Sequence, residues 1–183
     1  LGKTYATREL DYQAEYDNQR RWATWDLLFG RVTREHPLFE RMSRFGLDDK
    51  LRAIADAPCP PDVVGVNHYL TSDRFLDHRP ERYPDVPVGG NDFMQYVDVE
   101  AVRVAQPQPQ GLEGALREAW TRYGADLAVT EAHNACTRDD QARWFVEAWR
   151  SAHILREEGV SVLAVTAWSL LGAYDWCSLL VRR

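Results

Sequence analysis

Three short apolar runs in this chain each end in groups that can do chemistry. "DVVGVNHYL" (62–70) ends on Asn67, His68 and Tyr69. "LAVTEAHN" (127–134) ends on Thr130, Glu131, His133 and Asn134. "VSVLAVTAWS" (160–169) ends on Trp168 and Ser169. A carboxylate placed where an apolar strand gives out is costly unless it is paired, solvated or used. If the three runs are parallel strands, their carboxyl ends share one rim, which is where ligands bind in such folds. A carboxylate, a phenol and a carboxamide beside an indole face suit a sugar. Its hydroxyls take the polar groups and its C–H face takes the ring. A lone glutamate is more often a solvated or ion-paired side chain, and Trp168 could equally pack in a core; the strand-end position is what sets them apart.

Other chemistries find less support. Glu131, His133 and Cys136 are all possible metal ligands, but no fourth ligand follows in spacing, so no metal is assigned. No G-x-G-x-x-G is present, and "VGGND" (88–92) does not fit one, so no dinucleotide or other cofactor is assigned. Cys59, Cys136 and Cys177 are odd in number and widely spaced, which reads as reduced thiols in a cytoplasm rather than a disulfide framework. A net charge of −6 with no basic stripe argues against nucleic acid. No apolar run approaches the roughly 20 residues that span a bilayer. With 183 residues the chain can build one sizeable core. It begins at Leu1 and stops at "SLLVRR", which reads as a piece of a longer protein.

Residues 8–29 read as a helix, with Trp22, Trp25 and Phe29 on one face. A second helical region covers 38–57, interrupted near Gly46, and "PCPP" (58–61) breaks the chain before the first strand. Residues 71–110 are rich in proline and polar groups and read as a long loop with a short hairpin around 96–104. Helix 111–124 carries an apolar stripe of Leu112, Ala115, Leu116, Ala119 and Tyr123, ended by Gly124. The long helix 136–159 opens on Thr137 and Asp140, spaced like a capping box, and buries Phe145, Ala148, Trp149, Ala152 and Leu155. Trp144 reads as a packing or surface residue. Short apolar strands alternating with amphipathic helices indicate an α/β fold, a parallel sheet with helices outside it and no internal boundary.

The stretches "GVNHYLTS" (65–72), "VTEAHN" (129–134) and "AWSLLGAYDW" (167–176) occur in an order that resembles the last three strands of the glycoside hydrolase family 1 barrel, the retaining β-glycosidases. The resemblance implies that 1–183 is the C-terminal part of a (β/α)8 TIM barrel, with residues 1–57 as the helical segment before its sixth strand. It implies Glu131 as the catalytic nucleophile and Tyr69 as the tyrosine bonded to it. It implies Asn67, Trp168, Asp175 and Trp176 as sugar-binding residues. Where the family has T-E-N-G, this chain has Ala132 and His133 after Glu131. Where the family has a Glu-Trp pair, it has Asp175 and Trp176. The family's N-E-P, source of the acid/base glutamate, does not occur in the chain. The wording "CPPDVVGVNHYLTS" and "AWSLLGAYDWCSLL" resembles a branch in which such a domain precedes a dTDP-4-dehydrorhamnose reductase-type sugar-nucleotide reductase. The expected partner is thus a sugar or glycoside, with that reductase as a possible fused neighbour. The alternative is a non-catalytic sugar-binding or scaffold domain.

Overall fold

The computed structural model describes residues 1–134 and 136–168. In chain order its elements are β1 (Thr4–Ala6), α1 (Asp11–Arg20), α2 (Ala23–Leu28), α3 (Phe39–Ser43), α4 (Asp48–Asp56), β2 (Val63–Asn67), β3 (Arg74–Asp77) and β4 (Gly89–Gly90). There follow β5 (Gln95–Glu100), α5 (Ala101–Val104), α6 (Gly111–Tyr123), β6 (Asp126–Ala132), α7 (Arg138–Glu157) and β7 (Val162–Ala167). They form two compact units, one of Leu1–Gly2, Val63–Asp73 and Gln106–Arg183, the other of Lys3–Asp62 and Arg74–Ala105. The division is invisible in composition because each unit gathers separated pieces of chain and no linker marks a boundary.

The first unit holds a parallel sheet in the order β2-β6-β7. Its alternation is that of strands packed on one face. Val64, Val66, Leu127 and Val129 are fully buried, and α6 and α7 supply Leu116, Ala119, Ala148, Ala152 and Leu155 to the same core. Each such Val or Leu contributes about 1.5–3 kcal/mol on leaving water. The apolar stripe read for 111–124 is the buried set of α6, and Gly124 closes the helix at φ 65°, a left-handed conformation that costs glycine nothing. At the start of α7 the Thr137 hydroxyl accepts from the Asp140 amide at 3.3 Å. Two of the five residues expected on its buried face are not buried: Trp149 is 49% exposed and Phe145 is half-buried, while Ala148, Ala152 and Leu155 are buried.

The second unit differs more from expectation. The stretch read as a long loop contributes β3, β4 and β5 to a four-stranded sheet ordered β1-β3-β5-β4. β1 runs parallel to β3, while β5 is antiparallel to both its neighbours. The hairpin read at 96–104 is strand only to Glu100, and Ala101–Val104 is a helical turn. β1 and β3 are three and four residues long, too short to declare themselves by local pattern, and pairing makes them strands. The helix read over 8–29 is two helices, α1 and α2. The chain breaks at Arg21–Trp22, and Trp22 is buried in the core while Trp25 and Phe29 are only half-buried. Asn18 on α1 bonds both backbone groups of Thr4 on β1, at 2.9 and 2.7 Å. Among the described residues no helix is long and apolar enough to cross a membrane.

Candidate functional site

The site grows from a local irregularity in the first unit's sheet. From Val63↔Asp126 to Val66↔Val129 the β2–β6 register is regular. It then slips, and Asn67 lies opposite Glu131 rather than Thr130. Such a bulge re-aims side chains at a strand end. Here it sets Glu131 beside the residues that follow β2. The Tyr69 hydroxyl donates to Glu131 Oε2.

A second bond orders the other side of the rim. Thr130 Oγ1 donates to Asn67 Oδ1. The position of Thr130 depends on Gly65 across the sheet. A Cβ at Gly65 would lie 2.9 Å from Thr130 Cγ2 and 3.2 Å from its hydroxyl oxygen. Any larger residue at 65 displaces the threonine that holds Asn67. β7 delivers the third group: the Trp168 amide donates to Ala132 O at 3.2 Å, which ties the tryptophan to the end of β6, and the residue is 41% exposed. The adjacent ends of β2, β6 and β7 thus carry Asn67, Tyr69, Glu131 and Trp168. Asp175 and Trp176 lie outside the described residues.

The electrostatics of the pair are asymmetric. Burial, then the hydrogen bond to Glu131 and its negative charge, push the Tyr69 phenol up to about 12. Tyr69 is therefore a fixed donor at neutral pH, since ionising it would set two anions side by side. Among the described residues Tyr69 is the one hydrogen-bond donor to Glu131, and no basic side chain pairs with it. The described residues leave the carboxylate lone pairs for a ligand. A carboxylate oriented by one strong donor and otherwise uncommitted can act as a nucleophile or hold a hydroxyl.

The other reactive groups take different positions. No group of three or more His, Cys, Asp or Glu among the described residues could hold a metal ion. The Cys136 thiol is pushed up by burial and by Asp140, away from a reactive thiolate. His68, part of the polar end of β2 in sequence, is 2% exposed and lines a cavity rather than joining Asn67 and Tyr69 in a bonded set. Thr130 was visible in the sequence only as the residue before Glu131; its role depends on a contact with Gly65 that no local pattern encodes.

No protein-family model matches the chain. Over 71 residues, 38% of this chain, it is 37% identical to a β-galactosidase of Sulfolobus acidocaldarius, of which the stretch makes up 14%. Its fold is similar to that of the family 1 β-glucosidase from Thermotoga maritima, at a TM-score of 0.59 and 15% identity, over 93% of this chain and 39% of that one. The same β-glucosidase in complex with azafagomine aligns at 0.59 and 17%, over 93% and 40%. The AHE enzyme from Alicyclobacillus herbarius aligns at 0.60 and 17%, over 92% and 40%. The chain spans about 40% of the length of these structures and 14% of the β-galactosidase. Its fold is α/β, a part of a TIM barrel with parallel strands and outer helices.

Proposed function

We propose that this chain is the C-terminal part of a family 1-like barrel that hydrolyses β-glycosides with retention, and that Glu131 is its nucleophile. The observation that carries the reading is the bond from Tyr69 to Glu131 at the joined ends of β2 and β6. A donor on one carboxylate oxygen orients the other toward an anomeric carbon, and the resulting glycosyl-enzyme is released by water. Trp168 offers a face for the sugar's C–H surface, and Asn67, held by Thr130, offers a carboxamide to a hydroxyl. Asp175 and Trp176 complete the sugar contacts. The fold likeness to β-glucosidases and the local identity to a β-galactosidase support this reading.

Retaining hydrolysis needs a second carboxyl group about 5–5.5 Å from the first. We assign it to a part of the barrel outside this chain. In the full-length protein, Glu131→Gln is expected to abolish hydrolysis of an aryl β-glycoside; unchanged turnover refutes the nucleophile. Reduced Cys59 and Cys136 fit a cytoplasmic setting.

A second reading rests on Ala132 and His133 following Glu131 and on Asp175 standing where the family has glutamate. In it the domain binds sugar without cleaving it and serves a fused dTDP-4-dehydrorhamnose reductase-type neighbour. Sugar binding by a full-length protein that is inert on a broad panel of aryl glycosides favours this reading. Robust hydrolysis removes it.

A further inference from the structure

The first unit contains a cavity of about 230 Å³ between the loop after β2, the start of α6 and the middle of α7. It is independent of the strand-end site and of the function proposed for it. Its polar lining is His68, Asp73, Glu113, Trp144, Glu147 and Ser151, with Leu70, Leu112 and Ala148 as apolar walls. His68 and Asp73 are 2% and 4% exposed. Among the described residues neither ring nitrogen of His68 finds a hydrogen-bond partner, and neither does the buried Trp144 Nε1. Asp73 Oδ1 stands 3.4 Å from His68 Nε2, an ion pair when the ring is protonated but not a formed hydrogen bond. Three buried polar atoms without protein partners are rare, and these three line one cavity.

The lining selects a chemistry. Asp73, Glu113 and Glu147 line it with one histidine, and although Arg117 pairs with Glu113 at 3.1 Å, the remaining carboxylates disfavour an anion. The Glu147 carboxylate asks for a donor, the Trp144 indole asks for an acceptor, and His68 needs one of each. Hydroxyl groups are the small neutral groups that meet all three requirements. The volume lies below the roughly 300–1,000 Å³ of sites that take drug-sized ligands. We propose that this cavity is a binding site for a small neutral polyol, the size of glycerol or one monosaccharide ring.

The test uses the full-length protein labelled with ¹⁵N at its tryptophan indoles, with Trp144→Phe identifying the Trp144 N–H resonance. Titration with glycerol or D-glucose is expected to shift that resonance saturably, and inorganic phosphate to leave it in place. Trp168→Ala should leave the Trp144 response intact, which separates this site from the strand ends. Ser151→Leu, which places an apolar side chain in the cavity and narrows it, should abolish the response. Glu147→Gln, on an exposed helix position, should weaken it about tenfold, the loss expected of one hydrogen bond to a charged group. A Trp144 resonance unmoved by both polyols, or one that still moves in Ser151→Leu, overturns the proposal. A resonance moved by ethanolamine but by neither polyol overturns the assigned ligand class.

Discussion

Tyr69 donates to Glu131 in the first unit, and Tyr83 donates to Asp77 in the second, at 3.0 Å in the latter case. The two pairs share a phenol and a carboxylate and differ in what else the carboxylate holds. Asp77 is 1% exposed and accepts from the Arg79 amide at 3.0 Å, from its Nε at 2.8 Å and from its Nη2 at 2.9 Å. Its charge is compensated and its lone pairs are filled. Glu131 is only half-buried, and among the described residues it has Tyr69 as its one donor and pairs with no cation. A saturated carboxylate is an anchor for backbone, because any new ligand must first break a charge-assisted bond. A carboxylate oriented by a single donor is available for chemistry. Bonding around the pair, not the pair itself, separates a saturated carboxylate from one the described residues leave open to a ligand.

The sharpest way to break this contrast is to remove each charge. Glu131→Gln should lower turnover of an aryl β-glycoside by about 10³-fold or more in the full-length protein. Its unfolding midpoint should barely move, because the lost charge had little to hold. Asp77→Asn should do the reverse: stability falls by about 1–3 kcal/mol as bonds to a buried acceptor are lost, and turnover per folded molecule is kept. Denaturant titration and steady-state kinetics on both variants measure the two effects. Equal destabilisation by both substitutions would show that Glu131 is an anchor as well.

Acid sharpens the same contrast. Burial pushes the Asp77 carboxyl up, but the bonds from Arg79 and Tyr83 outweigh it and hold the group below its ordinary value. A depressed folded value means stability that is complete above the unfolded value, near pH 3.9, and lost as pH falls through the folded one. Wild-type protein should therefore lose stability below about pH 5 more steeply than Asp77→Asn does. Chemical denaturation between pH 2 and 6 checks this, and parallel curves for the two proteins contradict the role given to Asp77.

These two pairs were unequally legible in the sequence. Glu131 and Tyr69 each close an apolar run, so a local pattern points to them, and the parallel βα alternation then brings their strand ends together. The α6 stripe from Leu112 to Tyr123 was legible for the same reason, since helical period and the Gly124 cap are both local. Asp77 had no such flag. It ends a four-residue strand inside a proline-rich stretch, and β1 and β5 make that strand by pairing from far along the chain. The division into two units was hidden by the interleaving of their segments. The β2–β6 bulge was hidden too, and with it the opposition of Asn67 and Glu131, because a one-residue slip of register leaves no mark in composition.

The smallest expected effects come from the phenols, and they probe the comparison from the donor's side. Tyr83→Phe removes one of several bonds to Asp77 and should cost about 1 kcal/mol of stability with no change in turnover. Tyr69→Phe removes the sole described donor to Glu131. Its stability cost should be no larger, but Glu131 loses its orientation, and kcat is expected to fall about tenfold with KM little changed if Glu131 is the proposed nucleophile. The Tyr69 phenol sits at about 12, so it stays protonated beyond the ordinary range near pH 10. A raised folded value contributes stability that is present below pH 10 and is lost as pH rises toward 12. Ultraviolet titration of phenolate in wild type should show a late-ionising tyrosine that vanishes in Tyr69→Phe. In Glu131→Gln that tyrosine should ionise earlier, because the neighbouring charge is gone. If it ionises late in Glu131→Gln as well, burial alone holds the phenol, and the bond between Tyr69 and Glu131 does not organise the site.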